Sequence, residues 1–222
     1  MKEDGALSRL RQVASGSGPW CAVFDGDLGV AAHRLADTER ERIERALAAR
    51  PGVAAVVSPV RRLATELVLL ADVVICSPGA TLAGGGEDPP RLPGTPRRLA
   101  GRLGGGPALA FWLSRRAWPA RRARRAGLVD VVSRDPVSHA RRIVELWKEA
   151  GRAPEWLKLL TERSPGLGER GARSLERALF ALAFTEPDAR RGAREFLGGR
   201  RRRSPDGSGP APENDGGASH EA

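Results

Sequence analysis

Residues 63–82 read LATELVLLADVVICSPGATL, a largely apolar run interrupted by Glu66 and Asp72 and closed by the turn residues Ser77, Pro78 and Gly79. Leucines and alanines at helical spacing predict a buried helix near residues 63–71, and the β-branched run VVIC predicts a buried strand at 73–76. Glu66 stands inside the apolar run with no cation in the four residues that follow it. A carboxylate taken out of water needs compensation. It either balances the free N–H groups of a helix N-terminus, pairs with Arg61 or Arg62, or does chemistry. Asp72 is read as a cap or anchor of the helix–strand joint.

Outward from this stretch, helices and strands alternate. A helix is predicted over residues 37–51, where Thr38 and Glu41 have capping-box spacing, Leu35, Ile43 and Leu47 share a face, and Pro51-Gly52 ends it. The strand VAAVV (53–57) and the turn Ser58-Pro59 lead into the quoted segment. Residues 84–106, with GGGEDPP, LPGTP and GRLGGGP, read from composition as a loop over a site. Helices follow over residues 107–116 and 119–127, the second with Pro119 first and Gly127 as its stop, and then a strand in LVDVV. Such alternation predicts an α/β fold whose sheet is covered by helices.

Apolar positions recur at helical spacing in HARRIVELWKEA, EWLKLL, LERALFALAF and ARRGAREFL, so the C-terminal third is predicted helical. The last stretch, from about residue 199, has almost no apolar content and reads as a disordered tail. The expected organisation is a core over residues 1–135, a helical region over 136–198 and a tail over 199–222.

Composition narrows the function classes. A chain of 222 residues can bury a core without disulfides or metal, and Cys21 and Cys76 lie in unlike contexts that favour a reducing compartment. The N-terminus has no continuous apolar segment and the longest apolar run is broken by Asp72, so neither secretion signal nor membrane span is expected, and the location is read as cytoplasmic. The net charge is +10 with only three lysines, Lys2, Lys148 and Lys158. That arginine skew fits a GC-rich genome, and equally a polyanionic ligand drawn by a positive field. The histidines, His33, His139 and His220, are too scattered for a metal site or a catalytic triad. Gly84–Gly86 and Gly104–Gly106 lack the Lys-Ser/Thr ending of a phosphate-binding loop. Trp112, Trp118, Trp147 and Trp156 fall at apolar helical positions and are read as core or subunit-contact residues.

Four segments in order carry a resemblance. ELVLLADVVICSPGATL resembles the helix–strand segment that follows a glycine-rich turn in the crotonase superfamily, the enoyl-CoA hydratase/isomerase family. LPGTPRRLAGRLG is similar to that family's Pro-Gly loop and Arg-Leu helix, LSRRAWPARRARRAGLVDVV to its run ending in Ala-Gly-Leu-Val and a strand, and ARRGAREFLGGRR to its closing helix. The resemblance covers residues 11–201, with SGSGPWCAVFDGDLG (15–29) as a distorted form of the segment donating one oxyanion N–H. It implies a spiral of β-β-α units, short at its N-terminal side, with a helical C-terminal region, acting on an acyl-CoA thioester as a lyase or isomerase.

Its site implications follow. Two backbone N–H groups would hold the thioester oxygen: Leu63 at a helix head, and a donor between Val23 and Asp25, with Phe24 the central choice. Arg62, Leu63 and Ala64 replace the family's glycine triplet, and their side chains can fill the acyl pocket. Glu66 and, one residue beyond direct counting, Glu87 take the places of the two hydratase carboxylates. Arg200 and Arg201 in the run 200–203, or Arg97, Arg98 and Arg102, would meet CoA phosphates. No cofactor is expected beyond acyl-CoA as substrate, and the assembly implied is a homotrimer or hexamer. The first functional reading is an enoyl-CoA hydratase or isomerase using Glu66. The second is a catalytically degenerate accessory protein of a polyketide or other natural-product pathway, a branch of secondary metabolism. An RNA-binding relative is the remote third, and no aromatic–basic signature supports nucleic acid.

Overall fold

The computed structural model describes residues 2–26 and 35–186, the first six of them by backbone alone. Its centre is a four-stranded parallel sheet in the order β1-β2-β4-β7, formed by β1 (Trp20–Phe24), β2 (Gly52–Val56), β4 (Val73–Cys76) and β7 (Val131–Val132). A smaller sheet, β3-β5-β6, joins β3 (Val60–Arg61), β5 (Thr81–Ala83) and β6 (Trp118–Pro119). Every residue of β2 is buried, as expected for a parallel strand covered on both faces.

Two helices, α1 (Lys2–Ser15) and α2 (Asp37–Ala48), lie on one side of the sheet, where Trp20, Ala22 and Phe24 share a core with Leu10, Ile43 and Leu47. The other face is covered by α7 (Pro136–Glu149), whose Ala140 and Val144 pack on Val53, Ala55 and Ile75. Trp20 ties the first layer together: its indole N–H donates to the Leu47 carbonyl at 2.9 Å and the Arg50 carbonyl at 3.2 Å. Its ring lies so close over Gly52 that a Cβ there would fall 2.1 Å from it. Arg50 closes the same corner, donating to the carbonyls of Val13, Gly18 and Ala46.

Three expectations are corrected. The helix at 37–48 does not use Thr38 as a cap; Ala36 is the N-cap, without a side-chain bond, and Asp37 and Glu39 place negative charge in the first turn instead. The loop read from composition is confined to residues 84–94, because Leu99 buries itself and supports α4 (Thr95–Leu103), while Gly104 separates it from α5 (Gly105–Leu113). The strand in LVDVV shrinks to Val131–Val132, since the N–H groups of Leu128 and Val129 donate to the Ala123 carbonyl and close α6 (Ala120–Ala126) at Gly127, which has φ 91°.

The remaining elements are α3 (Leu63–Val68), α8 (Ala153–Arg163) and α9 (Glu169–Ala183). The chain divides into a unit over Met1–Leu175 and another over Glu176–Ala222. The division therefore falls beyond α7, which belongs to the layers of the sheet. In the second unit the described stretch is the end of α9 and the residues after it, where Phe180 and Phe184 meet edge to face at 4.8 Å. The expected tail from residue 199 lies outside the described residues. Among the described residues no helix is long and apolar enough to cross a membrane.

Candidate functional site

Parallel strands place the segments that leave them at one end of a sheet, the usual position for sites in open α/β folds. Here the turn after β1 meets the turn after β2: a Cβ on Gly26 would lie 3.9 Å from Ser58 Oγ. The segment after β2 continues through β3 into α3, all six residues of which are buried. Thr65 fixes this helix by donating its hydroxyl to the Ala83 carbonyl at 2.7 Å.

At the head of α3 the backbone is unusual. Arg62, its N-cap, has φ 55° and ψ −126°, a conformation suited to glycine and strained for a residue with a side chain. The turn orients Leu63 as the first helical residue, and the N–H groups of a first turn have no preceding turn to accept them. The Leu63 side chain is buried in the main core beside Ala64, while the Arg62 guanidinium pairs across 3.4 Å with Asp88 on the surface.

Glu66 is only 2 % exposed. Its Oε2 accepts the Arg91 N–H at 2.8 Å, the Leu92 N–H at 2.7 Å and the Thr95 hydroxyl at 3.1 Å. One carboxylate oxygen thereby pins the loop of residues 84–94 and the start of α4 to α3. Burial raises the Glu66 carboxyl above the usual carboxylate range, and the three hydrogen bonds pull it part of the way back. Neither pairing weighed from sequence, with Arg61 or with Arg62, is the arrangement found here. The residues missed were Arg91, Leu92 and Thr95, and the available signal was LPGTP, whose Pro-Gly turn delivers a threonine to a helix start.

Glu87 is placed differently. Its side chain is 86 % exposed and pairs with Arg115 at 2.7 Å. The glycines before it exist for packing: a Cβ on Gly84 would come within 2.6 Å of the Trp112 backbone, and the Gly86 N–H donates to the Trp112 carbonyl at 2.9 Å. The two carboxylates are therefore not gathered around one water: Glu66 faces backbone donors, and Glu87 faces an arginine in solvent.

Phe24 needs a correction as oxyanion donor. It pairs in register with Val56, and its carbonyl accepts the Val57 N–H at 2.8 Å, so its backbone groups face β2 rather than an open space. Of the arginines considered for CoA phosphates, Arg98 pairs with Glu44 and donates to the Pro93 carbonyl. Arg102 bonds Asp130 and the carbonyls of Ala71 and Asp72, so both serve the fold. Arg97 is exposed. Arg200 and Arg201 lie outside the described residues.

Asp72 anchors the joint, as its position predicts, by accepting the Gly52 N–H at 2.8 Å and pairing with Lys158. Asp130 repeats the device, accepting the Val74 N–H at 2.7 Å. Burial, reinforced by Asp130, pushes the Cys76 thiol up to about 12, which leaves it an inert core residue. A groove of about 510 Å³ runs beside β1, lined by residues of α1, β1 and the turn after it, together with Leu67 and Arg141.

No family model matches the chain, and no curated protein matches it in sequence. Its structure is similar to that of an enoyl-CoA hydratase from Thermoplasma volcanium GSS1, with TM-score 0.72 and 17 % identity over 90 % of this chain and 86 % of that one. An enoyl-CoA hydratase from Bacillus anthracis gives TM-score 0.69 and 18 % identity over 89 % and 86 % of the two chains. An enoyl-CoA hydratase/isomerase from Cupriavidus metallidurans CH34 gives 0.68 and 25 % over 88 % and 83 %. The chain has the crotonase fold that the order of its motifs implies.

Proposed function

We propose that this chain is a catalytically degenerate crotonase-fold protein that takes up an acyl-CoA thioester without hydrating it, an accessory protein of a natural-product pathway. The observation that carries this reading is the engagement of Glu66 by the Arg91 and Leu92 N–H groups and the Thr95 hydroxyl. Hydration requires a base and an acid acting on one water, with their pKa values held apart by environment. A carboxylate held as a loop anchor, with Glu87 out in solvent on Arg115, is poorly placed for that work. The buried side chains of Leu63 and Ala64, where glycines would leave room, point the same way. The thioester ligand rests on the likeness to proteins named enoyl-CoA hydratases.

One observation favours a second reading, a lyase or isomerase that polarises the thioester through the Leu63 N–H. Arg62 keeps a glycine-like backbone at a strain cost of about 1–3 kcal/mol. Strain of that kind persists where a turn serves a purpose, and here the turn sets the direction of the Leu63 N–H. A second donor would have to come from the vicinity of Asp25, since Phe24 is engaged in the sheet.

The test is an assay of the purified chain with crotonyl-CoA, beside calorimetric titration with the same thioester. Thioester binding with no hydration above the buffer rate is the expected result. Hydration that disappears in Glu66→Gln would restore the hydratase. Double-bond migration in a 3-enoyl-CoA that survives Glu66→Gln would favour the isomerase. Polyanion binding with a steep salt dependence and no thioester binding would favour the RNA-binding reading.

A further inference from the structure

β1 is the first strand in the order β1-β2-β4-β7, so one of its edges is turned away from the sheet. The Trp20 N–H donates to the Pro51 carbonyl at 2.9 Å and the Phe24 carbonyl accepts the Val57 N–H at 2.8 Å. In a strand, alternate residues direct their backbone groups to alternate sides. Trp20, Ala22 and Phe24 therefore bond toward β2, and the N–H and C=O groups of Cys21 and Val23 point to the free edge. Among the described residues nothing pairs with these four groups.

Proteins usually blunt such an edge with lysine, proline or a bulge, because it is a template for another strand. WCAVF has none of these. Val23, in the middle of the strand, is 48 % exposed. Alongside runs the 510 Å³ groove, bounded on the α1 side by Arg9, Leu10 and Val13 and on the α7 side by Arg141. The trough has apolar walls, backbone donors and acceptors along its floor, and an arginine on each side.

We propose that the free edge of β1 is an interaction surface that takes an extended segment of a partner protein, alternating apolar and acidic residues, as a fifth strand of the sheet. Main-chain bonds to Cys21 and Val23 supply the pairing, and side chains set the specificity, as in other cases of strand addition. Alternation puts the apolar side chains of the incoming segment on the α1 face, against Leu10 and Val13, and its carboxylates on the opposite face, where they reach Arg141. Charge argues against a second copy of this chain as the occupant. Edge-to-edge pairing would bring two sets of Arg9 and Arg141 together, with Asp25 the one acid among the described residues that line the groove.

The experiment uses the full chain and two synthetic peptides, one alternating valine with glutamate and one alternating valine with lysine. The glutamate peptide is expected to bind at least about tenfold tighter, and to slow hydrogen exchange at the amides of Cys21 and Val23. Val23→Pro removes one outward donor without removing a β1–β2 bond and abolishes binding. The double variant Arg9→Glu, Arg141→Glu reverses the preference between peptides, and it decides the matter if Val23→Pro fails to fold. Equal affinity for both peptides, or binding with unchanged exchange at residues 21 and 23, overturns the proposal. Sedimentation showing copies joined through this edge, with neither peptide able to separate them, overturns it in favour of self-association.

Discussion

Glu66 shows how one side chain can satisfy a sequence motif and depart from the chemistry the motif suggests. Its Oε2 takes two backbone N–H groups and a hydroxyl, and truncation would strand the Leu92 N–H and the Thr95 hydroxyl in a buried place and leave the part-buried Arg91 N–H without its acceptor. Glu66→Ala is therefore expected to cost about 3–5 kcal/mol, measured by urea denaturation, since each stranded donor costs about 1–3 kcal/mol. The dependence on pH has the opposite sense from that of a salt-bridged acid. Burial raises the carboxyl pKa in the folded chain, so between the ordinary value and the raised one the folded state holds a proton that the unfolded state has released. This contribution weakens as pH rises through that window and is constant above it. Glu66→Gln removes it, so the stability of the parent chain relative to that variant should fall as the buffer is taken from the acid side of the carboxylate range toward neutrality. A difference that grows with pH would show that the hydrogen bonds, rather than burial, dominate the site.

At the scale of elements, legibility followed how local the deciding interactions are. The strand VVIC coincides with Val73–Cys76, and Gly127 stops a helix, because an apolar β-branched run and a left-handed glycine carry their own instructions. Thr38 was misread as a cap because the chain enters α2 through Ala36, a choice made by packing rather than by the capping pattern. Residues 95–103 looked like loop from composition because glycine and proline crowd the stretches on either side of them, yet one buried leucine and the Glu66–Thr95 bond secure a helix there. Gly52 is another residue whose role depends on distant sequence: nothing near it predicts that the Trp20 ring lies against its Cα. Gly52→Ala inserts a methyl group into that ring and is expected to destabilise by about 1–3 kcal/mol or more, the range for overpacking a closed core. The loss should be read in Tm together with a change in Trp20 fluorescence. A neutral result would mean that Trp20 can swing out of its bonds to Leu47 and Arg50 at little cost.

For the whole molecule, the order of motifs conveyed the fold because layers, crossovers and turns tolerate wide substitution within the same polar–apolar pattern. The site was less legible, because a carboxylate's role depends on which donors the folded loop brings to it, and the partners of Glu66 lie 25 to 29 residues away. Net charge is a property that sequence fixes without folding. Thirty-seven basic against twenty-seven acidic residues leave +10 on a chain whose exposed ion pairs, such as Arg62–Asp88, Arg115–Glu87 and Arg173–Glu169, contribute little each. Excess like charge opposes compaction, and salt screens it over a distance that shrinks from about 30 Å at 0.01 M to about 8 Å at 0.15 M. If that repulsion outweighs the pairs, raising sodium chloride across this range should increase Tm by about 2–4 °C, the shift that about 1 kcal/mol produces in a chain of this size. A fall in Tm would mean that the paired arginines outweigh the unpaired ones, and that the surplus charge is already neutralised within the fold.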